Sequence, residues 1–147
     1  MQHAAMSILD DLFRYWRDSE TPLEPPASAK AILALERELG ARLPSDLRLF
    51  YSISNGMPDC EYDPHEISFW SIEKMLGEWM ESVEGTDERG PFRDLAFADF
   101  LINSSFWMLR TRNGEVSIYL QDTEEELRSL TNLAERYLGA PDSLPML

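Results

Sequence analysis

Apolar positions recur at helical spacing through the first third of the chain and alternate in its last third, and these patterns set the expected elements. Ala5, Ile8, Leu9, Leu12, Phe13 and Trp16 predict an amphipathic first helix. Thr21-Pro22-Leu23-Glu24-Pro25-Pro26 ends it in a short, stiff link. Ser28 is placed to cap a second helix that buries Ile32, Leu35 and Leu39. Gly40 sits where a left-handed residue closes that helix, and Pro44 where a missing N–H costs nothing at the start of a third. Leu47, Phe50, Tyr51 and Ser54 then form an inward stripe with one polar end, and Asn55-Gly56 stops it.

The period changes beyond Gly56. Met57 to Glu66 is a polar loop bracketed by Pro58 and Pro64, and Ile67 to Trp70 is a short strand. Ser71 caps an expected helix with Ile72, Met75, Leu76, Trp79, Met80 and Val83 on its apolar face and Glu78, Glu81 and Glu84 turned away. Residues 85–91 read as a loop. Leu95 to Ile102 and Phe106 to Thr111 read as strands joined by Asn103-Ser104-Ser105. Asn113-Gly114 predicts a type I′ hairpin turn, after which Val116, Ile118 and Leu120 alternate with Ser117 and Tyr119. Thr123 and Glu126 have capping-box spacing for a last helix with Leu127, Leu130, Leu133, Ala134, Tyr137 and Leu138 inward, ended by Gly139. This order predicts an α+β fold, an antiparallel β-meander packed against N-terminal helices and a C-terminal helix. One domain over 1–147 is expected: a helix and Pro-rich link over 1–27, a core over 28–140 and a tail over 141–147.

Charge changes the picture more than composition does. The 147 residues carry a net charge of −14, and residues 59–88 hold ten acids against Lys74 alone. Such a field repels phosphates, which argues against direct binding to nucleic acid or an anionic membrane. It is either a solvated, solubilising face or a surface complementary to a basic protein partner, which it would steer and orient. Cys60 is the one cysteine, so no internal disulfide forms and a reducing compartment is expected. The first residues lack a basic n-region and meet Asp10 and Asp11 early, unlike a signal peptide. With no apolar run long enough to span a bilayer, a cytoplasmic location is expected.

Candidate chemistry is sparse. Asp59, Glu61 and Asp63 copy the start of a calcium loop, but Pro64 stands where Gly is required and Trp70 where a bidentate Glu belongs. Cys60 and His65 lack the paired spacing of a transition-metal site, so no metal or cofactor is expected. His3 and His65 are the only histidines available as a base, and neither accompanies a nucleophile motif. Asp99, inside an apolar run, reads as an outward or edge residue, or as a structural acceptor for a neighbouring turn. Arg110 and Arg112 read as a small basic, solvated hairpin tip. Asp122, Glu124, Glu125 and Glu126 are expected to complement a helix dipole. The carboxylates left without a local role are candidates for partner binding: Asp59, Glu61, Asp63 and Glu66 in the loop, with Tyr62 as an aromatic anchor, and Glu78, Glu81 and Glu84 beyond it.

The pattern E-x-x-L-G-x-x-L-P-x-D-x-R-x-F-Y-x-x-S-N-G, from Glu36 to Gly56, resembles the opening signature of the SUKH superfamily. Ile67-Ser68-Phe69-Trp70 and Leu95-Ala96-Phe97-Ala98-Asp99 resemble its later landmarks. The superfamily includes bacterial toxin-immunity proteins and a yeast cell-wall assembly regulator. The resemblance implies a non-enzymatic protein-binding role with no catalytic residues. The expected function is neutralisation of a toxin domain, such as a basic nuclease, by stoichiometric occlusion. Two other readings compete. A ligand-binding or scaffolding regulatory domain requires a pocket lined by Tyr51, Trp70 and Trp107. A hydrolase requires Asp99 and His65 in one cleft.

Overall fold

A computed structural model describes residues 2–77, 82–100 and 105–139. Expectations for Glu78, Trp79, Met80, Glu81, Ile102, Asn103, Ser104 and the 141–147 tail fall outside the described residues. Helices α1 (Gln2–Asp18), α2 (Ala29–Leu39) and α3 (Ser45–Ile53) precede strand β1 (Ile67–Phe69) and a short helix α4 (Ile72–Leu76). Strands β2 (Ser82–Asp87), β3 (Gly90–Phe100), β4 (Ser105–Arg112), β5 (Glu115–Leu120) and β6 (Glu125–Leu127) follow, and α5 (Leu130–Gly139) closes the described chain. All six strands pair antiparallel in the order β1-β3-β4-β5-β6, with β2 beside β1 on the same side of β3. The fold is α+β.

The expected stops and starts are in place. Ser28 accepts from Ala31 N–H at 3.0 Å and Ser71 from Lys74 N–H at 3.1 Å, each capping its helix. Gly40 adopts φ 71° past α2, and α3 begins after Pro44. Gly56 has two reasons to be glycine. Its φ is 82°, and a Cβ there would lie 2.7 Å from the carbonyl oxygens of Phe69 and Trp70.

One face of the sheet meets the helices. Phe69 of β1 lies against Trp16 of α1, Phe50 of α3, and Phe97 and Trp107 of the sheet, with ring centroids 5.2 to 5.9 Å apart. Phe97 joins this group because a bulge between Ala96 and Ala98 resets the β3–β4 register. The same buried cluster extends from Leu9 to Tyr137, so α1 and α5 share one core with the sheet.

Three local expectations are corrected. The helix after Ser71 ends at Leu76, and Val83 and Glu84 belong to β2, where Val83 is exposed. The expected loop over 85–91 is instead a hairpin, with Gly85 opposite Phe92 and Asp87 opposite Gly90. Thr123 and Glu126 do not open the last helix. Residues 125–127 pair with β5, and Ser129 accepts from Asn132 N–H at 3.2 Å to start α5. Glu126 is held elsewhere by arginines, which competes with any capping role.

Candidate functional site

Glu36, Asp46, Ser54 and Asn55 of the Glu36–Gly56 stretch are committed to holding the fold. Glu36 accepts from Leu43 N–H at 2.7 Å and from Arg48 Nη2 at 2.8 Å, clasping the α2–α3 turn. Burial opposes ionisation of Glu36, but the Arg48 and Leu43 bonds outweigh it and keep its pKa below the usual value. Asp46 accepts from the backbone and hydroxyl of Thr131, tying α3 to the first turn of α5. Asn55 accepts from Ile72 N–H and donates to Glu73, fixing the start of α4. Ser54 donates to the carbonyls of Glu24 and Gly56, which lays the Pro-rich link along the end of α3.

The loop beyond Gly56 is anchored by two buried carboxylates. Asp63 accepts from Trp16 Nε1 at 3.0 Å, from the N–H groups of His65 and Ile67, and from the Tyr137 hydroxyl. It is 4% exposed and faces the core, away from the surface expected for a binding residue. Asp99 accepts from Trp70 Nε1 and from Tyr62 Oη, each at 2.6 Å. Asp99 is thus the structural acceptor of the expected pair of readings, serving an indole and a phenol. Burial and the adjacent carboxylate raise the pKa of Tyr62, and the same two causes raise that of Tyr137. Tyr62 is half-buried and spends its hydroxyl on this bond.

These clasps dispose of two arrangements. His65 stacks on Tyr15 and meets the edge of Tyr137, whereas Asp99 sits under Trp70 and Tyr62. Tyr51, Trp70 and Trp107 are 0 to 1% exposed and are themselves packed core residues, where the ligand reading needed them to line a cavity. Cys60 is exposed at φ 68°, and no cluster of metal-ligating side chains occurs among the described residues.

The sheet face away from the helices carries a charged network. Arg110 makes two 2.7 Å bonds to Asp94 and lies 3.8 Å from the ring centres of both Phe92 and Tyr119. Arg112 is shared by Asp87, at 2.6 and 2.8 Å, and Glu126, at 3.0 and 3.2 Å. Both arginines are buried rather than solvated at a tip, because Arg110 finds Asp94 on the adjacent strand β3 and two rings, and Arg112 reaches past its neighbours to Asp87 on β2 and Glu126 on β6. The bond from Arg112 pulls the Asp87 pKa down to about 2. Burial opposes ionisation of Glu126, yet Arg112 and Ser117 hold its pKa low. A cleft of about 450 Å³ beside this network is lined by Arg89, Arg112 and Arg128 against Glu115 and Glu126, a nearly balanced set of charges.

The acid-dense segment builds one edge of the sheet, since 59–88 contains both β1 and β2. Its carboxylates divide by environment. Asp59 pairs with Lys74 at 2.6 Å, which lowers its pKa, and Asp87 pairs with Arg112. Asp63 is buried and Glu73 accepts from Asn55. Glu61, Glu66, Glu84 and Glu88 are exposed and enter no ion pair among the described residues. Sequence reasoning named three of these four; Glu88 lay hidden in an expected loop.

The model of the SMI1/KNR4 family (SUKH-1) matches residues 26–138, from the Pro-rich link through α5. The chain belongs to the SMI1/KNR4 family (SUKH-1). Among curated proteins, none matches the sequence. Membership in SUKH-1 makes this a protein-interaction or immunity-type domain of a family that is generally non-enzymatic. No described helix is long and apolar enough to cross a membrane.

Proposed function

We propose that this SUKH-1 protein is an immunity protein that neutralises a basic toxin domain, such as a nuclease, by stoichiometric occlusion. The docking surface in this reading is the acidic edge formed by the 59–66 loop and β2. One observation carries it: Glu61, Glu66, Glu84 and Glu88 stand exposed and without ion pairs among the described residues, while Asp59 and Asp87 are paired and Asp63 is buried. Carboxylates without a cation beside them project a negative field towards solvent, so they accelerate encounter with a basic partner and select against acidic surfaces. Tyr62 and Asp59 lie within the same loop and would border the contact. Occlusion asks no proton transfer or covalent step of the chain, and the cytoplasm is where such a protein meets an incoming toxin.

The test is co-expression with basic nuclease toxin domains, followed by growth and complex isolation. Protection with a fixed-ratio complex is expected from the native chain. A Glu61→Lys/Glu66→Lys/Glu84→Lys/Glu88→Lys variant that folds normally should lose protection. Full protection by that variant would exclude the acidic edge as the inhibitory surface.

A further inference from the structure

We infer that β2 is a docking strand, and that a basic, extended segment of the partner adds to it as a further antiparallel or parallel strand of the sheet. This rests on the reading of the acidic edge given above and specifies how that edge is used.

The two strands on this edge are finished differently. The outer side of β1 is sealed by the preceding loop: Met57 N–H donates to Phe69 O at 2.8 Å, Asp63 N–H to Ile67 O at 3.0 Å, and Asp63 Oδ1 accepts from Ile67 N–H at 3.1 Å. Along β2, residues 82–87 pair with β3 on one side and with no second strand among the described residues on the other. An edge of this kind presents alternate N–H and C=O groups to any chain that can lie alongside.

Its side chains say which chain that is. Glu84 and Thr86 are exposed on the helix-side face, and Glu88 is exposed where the strand turns. On the opposite face Val83 is 48% exposed, and Gly85 leaves room for the Phe92 ring, which lies 2.6 Å from where a Cβ would sit. The complementary strand therefore alternates, with lysine or arginine beside Glu84 and an apolar residue beside Val83 and Phe92. A second copy of this chain is disfavoured, because pairing β2 with β2 brings Glu84 and Glu88 of both copies together on molecules of net charge −14.

The experiment uses the full chain and a synthetic peptide of alternating lysine and valine, beside a fully N-methylated counterpart with the same charge and no N–H donors. The parent peptide should bind, slow amide exchange within 82–87, and lose roughly tenfold or more in affinity on N-methylation. Equal binding of both peptides without protection of 82–87 overturns strand addition and leaves the acidic surface intact. Binding of neither peptide overturns both. Self-association protecting the same amides, without peptide, would assign the edge to a second copy instead.

Discussion

Trp16 and Asp63, 47 residues apart, are joined by a 3.0 Å hydrogen bond from the indole Nε1 to a buried carboxylate oxygen. That bond fastens α1 to the loop leading into β1, and the Tyr137 hydroxyl adds α5 to the same acceptor. Replacing Asp63 by Ala strands four donors, three of them in buried bonds, with an expected loss of about 3 kcal/mol. Chemical denaturation of D63A should show a lower midpoint, and unchanged stability would mean the loop is held by other contacts. Because Asp63 is structural, reversing its charge would confound a binding test by unfolding the loop.

Gly56 and Gly40 separate two reasons for glycine. Both have positive φ, but a Cβ at Gly40 meets nothing within 4 Å, whereas at Gly56 it collides with two carbonyls. Gly40→Ala should cost about 1 kcal/mol for the left-handed backbone alone. Gly56→Ala should cost about 3 kcal/mol or more, because the Met57–Phe69 backbone bond must shift as well. Equal losses in thermal unfolding would contradict the close approach.

Asp87 gives the sheet a dependence on acid. Its pKa is lowered from the ordinary 3.8 to about 2 in the fold, chiefly by the Arg112 bond, so that bond stabilises the protein fully above the unfolded value. That contribution fades as the pH falls from about 4 towards 2, where the folded carboxyl takes up its proton. Stability measured down this range should fall less steeply for Asp87→Asn than for the native chain. Identical slopes would show that Asp87 and Arg112 are not coupled in solution.

What could be read from the sequence was local. Ser28, Gly40, Pro44, Ser71 and the Asn113-Gly114 turn act on backbone within a few residues, and each does what its spacing implied. The SUKH signature likewise identified the family, although its Glu36, Asp46 and Asn55 act as clasps. Partners distant in sequence were out of reach. Ser82–Asp87 lacks alternating apolar residues, and only its pairing to β3 makes it a strand. Arg110 and Arg112 looked solvated because Asp94, Asp87 and Glu126 come from other strands. For the same reason Asp63 could not be told from Glu61, two positions away. One faces the core and the other the solvent, which decides which acids remain available to a partner.

The acidic edge is tested most directly by affinity for a toxin domain that the chain neutralises, measured from low to high salt. The native chain and the Glu61→Lys/Glu66→Lys/Glu84→Lys/Glu88→Lys variant should be compared after circular dichroism confirms that both fold. Native binding should weaken steeply with salt, and the variant should bind roughly 100-fold more weakly at low salt with a much flatter dependence. Native binding that ignores salt, together with an unchanged affinity for the variant, would contradict the account.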